Sequence, residues 1–328
     1  MWPYADPVLL PSELDADRIM SAAAPVLGRV SFPTRNNGGL LACAVSGGAD
    51  SLVLAMLAVA SGLTIEIHHV DHGLRPDSEA DAMFVEEFGR KLAASFERRV
   101  AFVGHRVHVS AGPNVEARAR SARFGALPRV VATGHTADDV AETLLINLVR
   151  GSGLDGLAVL RNDGDRLHPI RSVRRAETLR FCGDVGIEPF NDPMNEDRSL
   201  QRVRMRTEVL PLLESVANRD VVPLLVRMGD VASSDVDLLE DLAGRIDATS
   251  VKALAEAPTP LAKRALRRWL RDFGPGGGYA PSLAVVDRVY QVANGDAVAT
   301  DIGNGWRVAR TAQKLRLESG VATGDVPR

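Results

Sequence analysis

The sequence predicts an α/β protein: a doubly wound parallel sheet followed by a mainly helical C-terminal domain. Three observations predict it. Between residue 36 and about residue 160, short apolar or β-branched runs alternate four times with helical stretches, the pattern of consecutive βα units. The first of these runs, Leu40–Val45, is apolar at every position, as in a strand covered on both faces. From about residue 203 long helical segments take over, and only short strand-like pieces close the chain.

The elements follow in order. Residues 1–35 read as a leader ending in one helix, punctuated by Pro33 and by Asn36-Asn37-Gly38-Gly39. Leu40–Val45 is the first strand and Asp50–Ala60 the first helix of the sheet. Leu63–Val70 is strand-like, and Ser78–Ala94 is helical with Ala80, Phe84 and Phe88 at i, i+4, i+8. Val100–Val109 alternates as a strand, Asn114–Ala126 is helical, Arg129–Thr133 is a strand, and Ala137–Val149 is a helix with Val140, Leu144, Leu145 and Leu148 as its docking stripe. Right-handed crossovers put the carboxyl ends of such strands on one edge, where ligands bind. Residues 160–200 read as irregular and Arg-rich. Helices are expected over Val203–Ser215, Asp235–Ile246 and Pro260–Phe273. After the Gly-rich break at 274–278 comes one more helix, then strands around Val298, Trp306–Val308 and Leu315–Leu317. This gives a leader at 1–35, an α/β domain at 36–215 and a helical domain with a small β tail at 216–328.

Composition narrows the class. A chain of 328 residues, 45% apolar and 25% charged, is long enough for two domains without covalent staples. Cys43 and Cys182 stand far apart in sequence, which disfavours a disulfide scaffold, a zinc ribbon or a self-contained iron–sulfur site. The 39 basic and 42 acidic residues argue against a nucleic-acid coat protein and leave room for local basic faces. No apolar run approaches the ~20 residues of a membrane span. The N-terminus has no basic region followed by an apolar one, so a cytoplasmic location is expected.

The sharpest local feature is Ser46-Gly47-Gly48-Ala49-Asp50-Ser51, set between the first strand and the first helix. Two glycines let backbone N–H groups approach an anion, the helix N-terminus adds its unsatisfied donors, and two hydroxyls complete a phosphate cradle. The lysine of a Walker loop is missing. Asp50 beside a phosphate site is repulsive unless a cation lies between, and Mg2+ is the natural inference. The plainer alternative is a tight turn with Asp50 as a helix-start acid.

Ser46–Ser51 resembles the SGGxDS loop of the N-type ATP pyrophosphatases, which cleave ATP between its α and β phosphates. Three further stretches resemble the tRNA(Ile)-lysidine synthetases among them. His69-Val-Asp-His-Gly-Leu-Arg75 is similar to HxxHGLR. Residues 114–124 are similar to NxExxARxxRY, with Glu116, Arg120 and Arg123 in place and Phe124 where Tyr is usual. Residues 133–157 are similar to TGHxxDDxxET…LxRGxGxxGL, carrying Gly134, His135, Asp138, Asp139 and Glu142. Here Thr136 with Asp139 also reads as a capping box, which accounts for one acid. Weaker matches follow at His168-Pro-Ile, Arg175-Ala-Glu177, Phe181, Phe190-Asn-Asp192 and Asn195, and at 202–211, with Phe190 in place of Trp and Val203 in place of Asn. The resemblance covers roughly residues 38–215 and implies an adenine nucleotide alpha hydrolase-like fold.

It also implies a function. Such a ligase joins free L-lysine to C2 of the wobble cytidine of a CAU-anticodon tRNA(Ile). The cytosine O2 attacks the α-phosphate of ATP, pyrophosphate leaves, and the lysine amine then displaces AMP. ATP and Mg2+ would be held by Ser46, Gly47, Gly48, Ala49, Asp50, Ser51, His69, Gly134 and His135, with Asp50 and Asp139 on the metal. Asp138 and Asp139 are assigned to metal or amine, and Glu142 and Arg120 to the cytidine. For tRNA, the resemblance and the charge pattern point to Arg75, Arg123, Arg202 and Arg206, and to Lys263, Arg264, Arg267 and Arg268. The last four line one face of a helix that puts Leu266, Trp269 and Leu270 on the other. Such a face suits phosphate-backbone contact, which weakens with added salt; a solvated face of a core helix is the equal alternative. His68 reads as an ordinary loop-proximal histidine. A tRNA thiolase of the same class is the enzymatic rival, and a non-catalytic nucleotide-sensing RNA-binding protein the other. Oligomeric state is left open, a homodimer included.

Overall fold

The computed structural model describes residues 10–33, 40–71, 78–98, 100–107, 115–161, 165–190, 197–276 and 280–319, without the side chains at 78, 79, 115–117, 119 and 120. The chain divides into two compact units, Met1–Ser233 and Ser234–Arg328.

The first unit opens with α1 (Ala16–Leu27), whose N-cap Asp15 accepts from the N–H groups of Asp17 and Arg18. Strand and helix then alternate: β1 (Leu41–Ala44), α2 (Ala49–Ala60), β2 (Ile65–Asp71), α3 (Ser78–Phe96), β3 (Val100–Arg106), α4 (Val115–Ala126), β4 (Val131–Thr133) and α5 (Ala137–Val149). With β5 (Arg166–Leu167), the strands pair in parallel in the order β3-β2-β1-β4-β5. Helix α2 is buried along its length from Leu52 to Val59, because α1 and the later helix α7 (Arg175–Val185) also pack on it. A helix apolar all round belongs inside, and α2 sits at the middle of the main core.

Two elements fall where periodicity left the chain irregular. The two-residue strand β5 (Arg166–Leu167) pairs with β4, and it is too short to show alternation. Helix α7 (Arg175–Val185) begins where Glu177 accepts the Arg174 N–H at 2.8 Å, and it ends at Gly186 with φ +77°. The short helix α6 (Leu154–Leu157) precedes β5 in the chain.

The helix expected over 203–215 has three parts: α8 (Gln201–Arg204), a π turn (Met205–Val209) and α9 (Leu210–Ala217). Pro211 has no N–H to give, and the wider turn before it accommodates that loss. Helix α10 (Val222–Gly244) starts earlier than the sequence pattern indicated, and the division between units falls inside it.

The second unit contains α11 (Val251–Glu256), α12 (Thr259–Phe273), α13 (Leu283–Asn294) and an antiparallel sheet β6-β7-β8 (Ala299–Gly303, Trp306–Thr311, Lys314–Ser319). Its core joins Leu254, Leu266, Leu270, Val289, Val292 and Val308. No described helix is long and apolar enough to cross a membrane.

Candidate active site

The strand order sets the place. Strand β1 has β2 on one side and β4 on the other, so the crossovers diverge at its carboxyl end and open a crevice there. The loop after β1 carries Ser46–Gly48, and the loop after β4, in register beside it at Ala44 and Thr133, carries Gly134–Thr136.

Local chemistry shapes the first loop. Gly47 has φ +91°, open to glycine at no steric cost. A Cβ on Gly47 would lie 2.1 Å from the Phe190 ring, whose residue also donates its N–H to the Gly47 carbonyl at 3.0 Å. Phe190 in turn sits edge-on to Phe84, with centroids 4.8 Å apart. Gly48 caps α2. The Ser51 hydroxyl donates to the Gly48 carbonyl at 2.9 Å and accepts the Ser46 N–H at 3.1 Å, while Ser46 itself is exposed. Ala49 is buried as the first residue of α2. Gly134 has a packing reason of its own: a Cβ there would lie 2.8 Å from the Asp50 carbonyl carbon and 2.9 Å from the Ser51 nitrogen. Only glycine lets the exit of β4 come this close to the start of α2.

The histidines are tied down. His69 Nδ1 donates to the Val45 carbonyl at 2.9 Å, so its other ring nitrogen is the acceptor in the neutral form. His135 Nδ1 and His168 Nδ1 meet the Thr133 hydroxyl at 2.7 and 2.8 Å. His68 bonds His105 and Glu66, each at 2.8 Å, away from the phosphate loop's bonds.

Four acids and four arginines form the site's charge network. Asp138 takes Arg174 on both oxygens, each at 3.1 Å, and the Arg175 N–H at 2.8 Å; Arg174 also pairs with Asp220. Asp139 Oδ2 accepts the Thr136 N–H at 2.7 Å and its hydroxyl at 2.9 Å, as the capping pattern indicated. Its Oδ1 takes Arg202 at 2.6 Å and Arg175 at 3.2 Å. Glu142, fully buried, is gripped by Arg202 and Arg206, each at 2.6 Å. Asp50 bonds the Thr178 hydroxyl and lies 3.3 Å from Arg175. Burial pushes the Asp50 carboxyl up to about 6, against the pull of Arg175 and Thr178. Burial also pushes Asp139 upward, but Arg175, Arg202 and His135 outweigh it and hold that carboxyl at about 2.

This network bears on three expectations. Asp139 and Glu142, assigned to metal or amine and to the cytidine, are buried under arginines. Of the stripe, Val140 and Leu144 pack with Val159, Leu145 packs with Met205 of the π turn, and Leu148 is exposed, while Arg202 and Arg206 cover the acids. Arg202 and Arg206, expected to meet tRNA, have guanidinium groups engaged with these acids. A cation beside Asp50 is Arg175, which the family resemblance marks without a role. Its spacing to Asp50 carries no signal, since only the fold joins α7 to α2.

A divalent ion fits the donors. Asp50 Oδ2 and Asp139 Oδ1 converge on the same arginine nitrogen, and Mg2+ is bound by one or two carboxylates together with waters and phosphate oxygens. Among the described residues no cluster of three or more acid, histidine or cysteine side chains forms a self-sufficient metal cage.

The other expected residues are scattered. Arg75 and the Arg120 side chain lie outside the described residues, as do Asp192 and Asn195. Arg123 sits with its guanidinium 5.7 Å from the Phe124 ring centre, and Arg166 stacks on the same ring at 3.6 Å. Within the second unit, Lys263 pairs with Asp287 at 2.8 Å, Arg264 with Glu240 at 2.6 Å, and Arg268 lies 3.9 Å from Asp272. Arg267 is half-buried on the same helix. Both cysteines are buried, and burial pushes their thiols up to about 12.

A family model described as a PP-loop domain matches residues 28–213, and one described as a TilS substrate binding domain matches 250–316. The chain is 38% identical over 294 residues to a tRNA(Ile)-lysidine synthase of Nocardia farcinica, covering 84% of this chain and 90% of that protein. It is 35% identical over 299 residues to the synthase of that name from Mycobacterium tuberculosis, covering 85% and 88%. Among solved structures, the U34-tRNA thiolase NcsA from Methanococcus maripaludis matches with a TM-score of 0.47 and 17% identity over 67% of this chain and 80% of that one, a likeness too slight to bear on function.

Proposed function

The chain belongs to the tRNA(Ile)-lysidine synthase family, and on that premise we propose that it joins free L-lysine to C2 of the wobble cytidine of a CAU-anticodon tRNA(Ile). It is a ligase that uses ATP through its PP-loop domain. The observation that carries the reading is one juxtaposition: a lysine-free glycine loop at the β1 carboxyl end, with Asp50 and Asp139 meeting across it on one arginine.

In this reading the N–H groups at the start of α2 and the Ser46 and Ser51 hydroxyls hold the β and γ phosphates. Charge-assisted hydrogen bonds of about 1.5–3 kcal/mol each stabilise the departing diphosphate. Asp50 and Asp139 would hold Mg2+, which when bound neutralises charge on that leaving group. The cytosine O2 attacks the α-phosphate and pyrophosphate leaves; the lysine side-chain amine then attacks C2 and AMP leaves. Asp138 and Asp139 supply carboxylates near the amine. Glu142, enclosed by Arg202 and Arg206, acts on the cytidine through the position it gives those guanidinium groups, with Arg120 as a further contact. Arg75, Arg123, Arg202 and Arg206, and Lys263, Arg264, Arg267 and Arg268 of α12, are the proposed tRNA contacts, and the cytoplasm is the expected location.

The test is mass spectrometry of the nucleosides after incubation of CAU-anticodon tRNA with ATP and lysine. Lysidine at the wobble position is expected. Incorporation of labelled sulfur with no lysine would replace the reading by a thiolase. Nothing favours that rival: both thiols are buried and protonated at neutral pH.

A further inference from the structure

Arg175 occupies the position that charge balance assigns to a metal ion. Its Nη2 lies 3.3 Å from Asp50 Oδ2 and 3.2 Å from Asp139 Oδ1. Its backbone N–H is anchored on Asp138 at 2.8 Å, so the start of α7 is fixed while the side chain spans the two acids. No other ion pair to Asp50 is present among the described residues. The Arg175 Nε is buried and meets no acceptor among them. Arg171 Nε is in the same state; at Arg175, beside a phosphate cradle, a ligand oxygen would satisfy the donor.

We propose that Arg175 is the resident counter-cation of Asp50 and Asp139, and that it makes divalent-metal binding conditional on nucleotide. A free ion would have to share two carboxylates with a guanidinium that never loses its charge, and the repulsion between the two cations disfavours it. Phosphate groups change the balance. They bring further oxygen ligands for the ion, and they offer acceptors to the guanidinium fork, including its unsatisfied Nε. The ion then enters with ATP rather than before it, and Arg175 passes from carboxylate to phosphate. This rests on the reading above that Asp50 and Asp139 would hold the ion.

The test is Mn2+ binding by the full chain without nucleotide, read from loss of the free-ion electron paramagnetic resonance signal. Wild type is expected to hold Mn2+ weakly. Arg175→Gln is expected to bind one ion at least about tenfold more tightly, since a positive charge beside the site has gone. Adding Asp50→Asn to that variant is expected to abolish the gain. An Arg175→Gln chain with native circular dichroism and wild-type Mn2+ affinity overturns the proposal, and so does a gain that survives Asp50→Asn. Should Arg175→Gln fail to fold, the wild type decides. Tight nucleotide-free Mn2+ binding that Asp50→Asn abolishes overturns the proposal, whereas weak binding indifferent to Asp50→Asn supports it. The measurement uses neither tRNA nor lysine, so its failure is distinguishable from failure of lysidine formation.

Discussion

At Asp50 a carboxylate is held at the start of α2 by the Thr178 hydroxyl and Arg175, beside a loop built for anions. Replacing it by asparagine keeps the shape and the hydroxyl bond and removes the charge. Asp50→Asn is expected to abolish lysine- and tRNA-dependent AMP release with the circular dichroism spectrum unchanged; normal turnover would remove the role assigned to the loop. Gly134 makes the opposite kind of contribution, through the side chain it lacks. A Cβ would meet backbone atoms of Asp50 and Ser51 under 3.0 Å, and backbone cannot rotate away as a side chain can. Gly134→Ala is therefore expected to cost about 1–3 kcal/mol, seen as a lower melting temperature, whereas Gly125→Ala, where nothing lies within 4 Å, is expected to leave the melt unchanged or raise it slightly. The motif that marked Gly134 was legible in the sequence, but the reason for glycine there was not. It depends on α2 lying against the exit of β4.

At the scale of elements, α5 and the segment Gln201–Ala217 close on each other through charge. Glu142 is fully buried and holds Arg202 and Arg206 on its two oxygens. Removing one partner of a buried pair leaves charge uncompensated, at about 3–5 kcal/mol when no partner remains. Arg202 stays on Glu142 in Arg206→Ala, so about 2 kcal/mol or more is expected in urea unfolding. Arg204→Ala, which breaks only an exposed pair with Glu208, is expected within about 0.5 kcal/mol of wild type. Equal stabilities for the two variants would sink the structural role given to Arg206. The sequence displayed the charge pattern of these arginines, four residues apart, yet it could not say what they face. Arg202 and Arg206 turn toward acids some 60 residues away in sequence, and periodicity within a helix carries no information about such a partner. The same holds on α12, where Lys263 and Arg264 meet Asp287 and Glu240.

Over the whole molecule, the two units carry separate cores, and acid should act on them through different groups. In the second unit Asp247 is held at about 2 by hydrogen bonds from Lys314 and Thr249. A carboxyl whose folded value is depressed adds stability above its unfolded value, near 4, and loses it as pH falls through about 2. The side chain is half exposed, so solvent screening keeps the contribution to the modest scale of surface pairs. Asp247→Asn is expected to lower the unfolding midpoint of that unit at pH 7, with the difference vanishing by about pH 2. A difference that persists at the acid end would point to lost packing instead.

The sequence by itself determined the alternation of βα units, the glycine loop and its place after the first strand, the capping of α5 by Thr136 and Asp139, and the motifs that marked the family. All of these are local: hydrophobic period, turn chemistry and cap residues act over a few neighbours along the chain. Only the tertiary structure decided that β5 joins the sheet, that Arg202 and Arg206 enclose Glu142, and that Arg175 stands between Asp50 and Asp139. Those pairings link residues far apart in sequence. Burial in a low-dielectric interior selects each charge's partner there, and that selection exists only once the elements are packed.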